Sequence, residues 1–271
     1  MSRWRRAVLV PLALLCIWAT SVLSREADLP EIKQRNSLRV LVNPDEKRPE
    51  FFSIKPGTPP GFDQELLRGF AQLHRVQLEV HTVDGWGALV PALLENRGDV
   101  IAGRFTMTEA RRRQIDFTRE VFPYRLVVMT RKPHRVVRTL EELKAEKVGT
   151  THGSNMAEAL DAAGIPAANR DDTIPTGGYA EALRSGKISA AVWGVESAIA
   201  SQREDPAIEL GMFLGPPGRL AYGVRKEDTE LRQALDDYLD NVRKTPTWSR
   251  LVVKYFGEAA PDILKKARSS E

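Results

Sequence analysis

Short β-prone runs alternate with helix-patterned segments along this chain, and the alternation breaks off once and restarts. LRVLV (38–42), VQLEV (76–80) and DVIAG (99–103) are apolar or alternating runs of strand length. Between the first two, GFDQELLRGFAQLH places Leu66, Leu67, Phe70, Ala71 and Leu73 on one helical face, with Asp63 as its expected N-cap. GWGALVPALLENRG is the next helical connection, limited by Pro91. Strands spaced by helices predict parallel α/β architecture, not a bundle or an all-β sandwich. After the strand RLVVMT (125–130), a crossing segment leads to a helix expected to start at Thr139, with Glu142 completing a capping box. VGT, SNMAEALDAAG, GGYAEALRSG, ISAAVW, VESAIASQ and AIELGMF then repeat the alternation. GPPG (215–218) reads as a second junction. Beyond it come LAYGV, an amphipathic helix through Leu231, Leu235 and Leu239, and a terminal helix around TWSRLVVKYFG. Zones near 125–135 and 214–220 thus divide the chain into three segments. Propensity leaves open whether the third segment rejoins the first or the chain forms two domains in series.

The chain's 271 residues suffice for one large domain or two modest ones. Its formal charge of +4 arises at one end. Residues 1–24 contain Arg3, Arg5 and Arg6 and no acid, leaving 37 basic against 36 acidic residues elsewhere. That balance argues against nucleic acid as a partner. MSRWRR, then apolar AVLVPLALLCIWA (Ala7 to Ala19), then TSVLS read as an export signal over residues 1–24, which predicts a periplasmic protein. An uncleaved membrane anchor over Ala7 to Leu23 is the alternative. Cys16 is the sole cysteine, and the bulky Leu15 before it argues against lipid attachment. Loss of Cys16 with the signal removes any disulfide or thiolate metal site. His74, His81, His134 and His152 lie in separate elements. No metal, cofactor, phosphate loop or nucleophile triad is expected.

The stretch RFTMTEARRRQIDFTREVFPY (104–124) holds five arginines. A guanidinium offers a planar fork of donors that grips a carboxylate through two parallel hydrogen bonds, where lysine offers only a compact charge. On residue types alone, the stretch is either a solvated charged face or the holder of a small anion. Arg112 and Arg113 suit the first role, facing solvent or pairing with Asp116 or Glu120.

Four motifs occur in an informative order: GFDQEL (61–66), WGALVPALLENRGDVIAG (86–103), TMTEARRRQIDFT (106–118) and VGTTHGSN (148–155). Through them the chain resembles the bacterial family 3 extracellular solute-binding proteins of the polar amino acid type, over about 35 to 260. It also resembles the related binding-like domain of membrane-bound lytic transglycosylases. The resemblance implies a periplasmic binding protein-like α/β fold, two lobes hinged by two crossing strands around a central cleft. Residues 30–125 with 219–271 are expected to form the first lobe and 126–218 the second.

The same resemblance implies that Arg111 binds a ligand carboxylate, with the Thr106 hydroxyl beside it and Ser154 contributing from the opposite lobe. It implies an aromatic wall from Phe51 or Phe52, with Phe51 preferred. At Arg104 the family has a small residue, so this arginine is expected to contact a second anionic group, to fill part of the pocket, or to face solvent. Where relatives carry an aspartate for the ligand ammonium, this chain has Gly194. Glu196 is the candidate replacement, or else the start of a surface helix. Trp86 and Trp193 either pack or narrow the pocket. The implied function is binding of a small anionic or zwitterionic solute for an inner-membrane ABC permease. Two alternatives remain: a periplasmic accessory protein that reuses the fold, and a small dehydratase-like enzyme with Glu196 as proton donor and Arg111 as carboxylate anchor. With so few residues after KYFGE, a binder without turnover is the expectation.

Overall fold

The computed structural model describes residues 28–44, 50–54, 57–152, 154–175 and 177–269. The expected export signal, with Cys16, lies outside them. The chain first lays down α1 (Leu29–Arg35), β1 (Ser37–Val42), α2 (Phe62–His74), β2 (Gln77–Thr82), α3 (Leu89–Leu94), β3 (Val100–Ile101), α4 (Glu109–Arg112) and β4 (Asp116–Phe117). β5 (Phe122–Arg131) leads into α5 (Leu140–Lys144), β6 (Val148–Gly149), α6 (Asn155–Ala162), β7 (Arg170–Asp171), α7 (Tyr179–Arg184), β8 (Ala190–Gly194) and α8 (Val195–Glu204). β9 (Ile208–Leu220) then returns to β10 (Gly223–Val224), α9 (Thr229–Lys244), α10 (Thr247–Phe256) and α11 (Ala260–Arg268).

Two five-stranded sheets result, ordered β2-β1-β3-β10-β4 and β7-β6-β8-β5-β9. The parallel α/β expectation holds for the core of each sheet, and antiparallel strands join it. β1 runs parallel to β2 and β3, but β10 lies antiparallel between β3 and β4. Likewise β6 is parallel to β7 and β8, while β5 is antiparallel to β8 and β9. The physical reason is the return of the chain. β5 and β9 run past each other as the two crossing strands, and β10 re-enters the first sheet from the opposite direction. The third segment therefore rejoins the first. The fold is two-lobed α/β, with the crossing strands as the hinge.

GPPG is not a junction outside the strands; it lies within β9. Among the described strands β9 has β5 as its one neighbour, at the edge of its sheet, where a proline lacking an N–H breaks no second ladder. The register slips between Tyr124↔Gly218 and Leu126↔Leu214, which absorbs Gly215, Pro216 and Pro217.

The α2 N-terminus departs from its local pattern. Its cap is Gly61, not Asp63. The orphan amides of the first turn are met by backbone: Phe62 N donates to Glu50 O at 2.6 Å and Asp63 N to Phe51 O at 3.0 Å. A Cβ at position 61 would collide with the Phe51 carbonyl and the Phe52 amide, so glycine is what lets the loop approach. Leu66, Leu67, Phe70 and Ala71 are buried as the helical pattern predicts, whereas Leu73 is 64% exposed. The capping box of Thr139 and Glu142 on α5 forms as read.

Phe51 is only 1% exposed. Its ring packs against Phe122 at 5.3 Å, Phe256 at 5.1 Å and Phe62 at 6.2 Å between centroids. These come from the loop before α2, from β5, from α10 and from α2, so the cluster ties the first lobe to a crossing strand and a C-terminal helix. α11 packs on β5, β9 and α8 beside it. Phe51→Leu is expected to lower unfolding free energy by roughly 1–2 kcal/mol, the worth of the lost ring contacts. Solute affinity should stay within about twofold, because no solute contact is removed. Urea denaturation and calorimetry check the two halves.

Candidate functional site

A cavity of about 350 Å³ opens between the two lobes, within the size range of small-molecule sites. The first lobe lines it with Trp86, Arg104, Thr106, Thr108 and Arg111; Tyr124 and the second lobe add Ser154, Asn155, Met156, Trp193 and Gly194.

Arg111 sits on α4, whose N-cap Thr108 accepts a hydrogen bond from the Arg111 amide. Its Nη1 donates to Thr106 O at 2.7 Å, and its Cζ stands 4.0 Å from the Phe105 ring centroid. Ring and carbonyl fix the guanidinium plane before anything binds. Burial pulls its pKa down somewhat, yet it remains a cation. Among the described residues no carboxylate comes within ion-pair distance of it. The Thr106 backbone bridges Leu220 at the end of β9, which places this threonine at the hinge. Arg112 and Arg113 face solvent, the first of the two expected outcomes; Arg113 pairs with Glu109, while Asp116 and Glu120 pair with Arg232 and Arg268.

Arg104 does enter the cleft. Its Nη2 lies 2.6 Å from Glu196 Oε1, joining the loop after β3 to the start of α8 in the other lobe. Both Gly103 and Arg104 have left-handed backbone, φ 80° and 63°. Asp63 holds that turn: its Oδ2 accepts from Gly103 N at 3.0 Å and from Arg104 N at 3.4 Å, while Tyr222 Oη donates to its Oδ1 at 3.5 Å. Burial pushes Asp63 up to about 7 against those three hydrogen bonds. Glu196 is fully buried and does not start a surface helix. A Cβ at position 194 would press on its Oε1 and come within 2.7 Å of Oε2. Its carboxylate thus occupies the space that a side chain at residue 194 would take.

Across the cleft, Ser154 both caps α6 and lines the cavity, its Oγ accepting from Ala157 N at 3.2 Å. The expected alternatives of cap and cleft residue therefore coincide. Trp193 is buried, edge-on to Tyr179 at 5.0 Å, and lines the cavity. Phe51 does not line this cavity, and neither does Phe52, because both are buried in the first lobe. The aromatic wall is Trp86, Trp193 and Tyr124 instead. Tyr124 and Asn155 were missed by sequence reasoning. Asn155 Nδ2 donates to Tyr124 Oη at 2.6 Å. Burial, and then the Glu196 charge, push the Tyr124 hydroxyl up to about 12, so it stays protonated. Tyr124 lies next to the register slip between β5 and β9, which a two-residue alternation does not signal. His152 is exposed beside Asp172. Among the described residues, no group of acids, histidines or cysteines is arranged to hold a metal ion, and no helix is long and apolar enough to cross a membrane.

The chain belongs to the bacterial extracellular solute-binding proteins, family 3, whose model matches residues 38–258. It is 28% identical over 254 residues to membrane-bound lytic murein transglycosylase F of Desulfosudis oleivorans, covering 91% of this chain but 54% of that relative. The chain thus spans about half the length of that protein. The histidine-binding periplasmic protein of Escherichia coli is 28% identical over 211 residues, 72% of this chain and 78% of the relative. Among solved structures, a mutant of ArgBP from T. maritima superposes with a TM-score of 0.63 at 27% identity, over 84% of this chain and 99% of that one.

Proposed function

We propose that this family 3 protein captures a small carboxylate-bearing solute between its lobes and presents it to an inner-membrane ABC permease. The observation that carries the reading is Arg111: a partly buried guanidinium, fixed on Phe105 and Thr106, facing a cavity and lacking a carboxylate partner among the described residues. A cation held this way is complementary to a ligand oxyanion. Thr106 adds a hydroxyl on the same side, and Ser154 with the first turn of α6 meets the solute from the second lobe. In this reading residues 30–125 with 219–271 form one jaw and 126–218 the other, and solute contacts on both jaws favour the closed form. The export signal expected from the N-terminal sequence supports a periplasmic location, and the histidine-binding relative supports a small carboxylate-bearing solute.

Thermal-shift screening of the protein against amino acids, organic acids and cell-wall peptide fragments, followed by calorimetry, tests the proposal. A true solute at a hundredfold excess over its Kd stabilises by about 2.7 kcal/mol, a rise in Tm of about 5–10 °C. One-to-one binding by a carboxylate is the expected result. Copurification of a stable protein partner without any solute response would establish the accessory role instead.

A further inference from the structure

We infer that Arg104 is a built-in counter-ion of the cleft: locked onto Glu196, its guanidinium stands where a ligand ammonium would be received, so the site selects carboxylates without an α-ammonium group. The inference rests on the reading of Arg111 as the carboxylate anchor.

Three observations converge on it. First, the Glu196 carboxylate lies buried directly behind Gly194, a residue of the cavity lining, in the space a side chain there would fill. An acid in that place, opposite a carboxylate anchor, would otherwise accept hydrogen bonds from a zwitterion's ammonium. Second, Arg104 takes Glu196 Oε1 at 2.6 Å, with side-chain exposures of 16% and 0% for the two residues. Glu196 Oε2 is buried and has no hydrogen-bond partner among the described residues. Third, Arg104 is put there by a built backbone. A non-glycine residue in the left-handed region is unfavourable, and the buried Asp63 clamps its amide and that of Gly103.

The charges then add simply. Among the described residues Arg104 is paired with Glu196, and Arg111 is a cation of the cavity lining that no carboxylate there neutralises. A monocarboxylate neutralises it. A zwitterion brings a second cation against Arg104, with the carboxylate that would receive its N–H groups buried and already paired.

The test titrates calorimetrically matched pairs that differ only in the ammonium: L-glutamine and 4-carbamoylbutanoate, L-leucine and 4-methylpentanoate, L-phenylalanine and 3-phenylpropanoate. They are run on the wild-type protein, Arg104→Ser, Arg104→Ser/Glu196→Gln and Arg111→Ala. For a responding pair, the wild type should favour the desamino member by about 100-fold or more. Arg104→Ser should turn the preference toward the amino acid, even where the wild type binds neither. The double variant, which leaves no unpaired acid and so guards against misfolding, should lose that gain. Equal binding of both members by the wild type, or an Arg104→Ser effect equal on both, overturns the inference. If Arg111→Ala still abolishes binding in that case, the carboxylate reading stands without it. No response from any pair in either the wild type or Arg104→Ser overturns both.

Discussion

Arg111→Ala is expected to abolish carboxylate binding while the protein stays folded. A bidentate guanidinium–carboxylate contact comprises two charge-assisted hydrogen bonds, each worth about 1.5–3 kcal/mol, so its removal costs about 3–6 kcal/mol, or about 10²–10⁴ in Kd. The fold loses little. Among the described residues the guanidinium makes one hydrogen bond, to Thr106 O, and one ring contact, to Phe105. The α4 backbone bonds, including Arg111 N to the Thr108 hydroxyl, do not involve the side chain that is removed. Stability should therefore fall by no more than about 1–2 kcal/mol. Arg111→Lys is the informative companion. It keeps the charge but forfeits the fork and the flat face on Phe105, so its affinity should lie between the two, roughly tenfold or more below wild type. Calorimetry on a solute identified by the screen reads all three. Affinity for Arg111→Ala within twofold of wild type would reject the anchor.

How legible such a site is in sequence depends on whether its residues are placed by local or by distant contacts. Arg111, Thr106 and Ser154 sit in short motifs next to helix starts, and all three line the same cavity. The Thr139–Glu142 capping box is equally local and forms as read. Phe51 is the opposite case. A phenylalanine in a proline-rich loop has no periodicity to read, and its burial is decided by Phe122 and Phe256, far along the chain. Arg104 and Glu196 were both candidates, but their meeting across 92 positions depends on how the lobes face each other and on the missing side chain at Gly194. Strand direction was illegible for a similar reason. Alternation reports which face is buried, not which way the strand runs, so the antiparallel β5, β9 and β10 looked like the parallel strands. By contrast, α11 had a usable signal in APDILKKAR, with proline in the first turn and apolar Ile263, Leu264 and Ala267 behind it.

Asp63 is released from capping because other atoms do that job. The carbonyls of Glu50 and Phe51 serve the first turn of α2, so the Asp63 carboxylate is free to turn inward and hold the Gly103–Arg104 backbone. Burial raises it from the ordinary 3.8 to about 7. The folded protein therefore binds a proton that the unfolded chain has already released between those two values. In that window stability falls as pH rises, because the unfolded state carries fewer protons than the native state. This group's contribution is fully present below pH 3.8, is lost up to about pH 7, and is flat above. At 1.36 kcal/mol per pH unit the whole window amounts to about 4 kcal/mol. Asp63→Asn isolates it from the other titrating groups. The amide oxygen can accept from both Gly103 N and Arg104 N, and its NH₂ can donate to Tyr222 Oη, which makes asparagine a permanent mimic of the protonated acid. Urea denaturation of both proteins at pH 5, 6, 7 and 8 should show the wild type losing stability relative to Asp63→Asn at each step up to pH 7. The variant should be the more stable by pH 8. Parallel curves would mean that Asp63 is already ionised at pH 5, with its three hydrogen bonds outweighing burial.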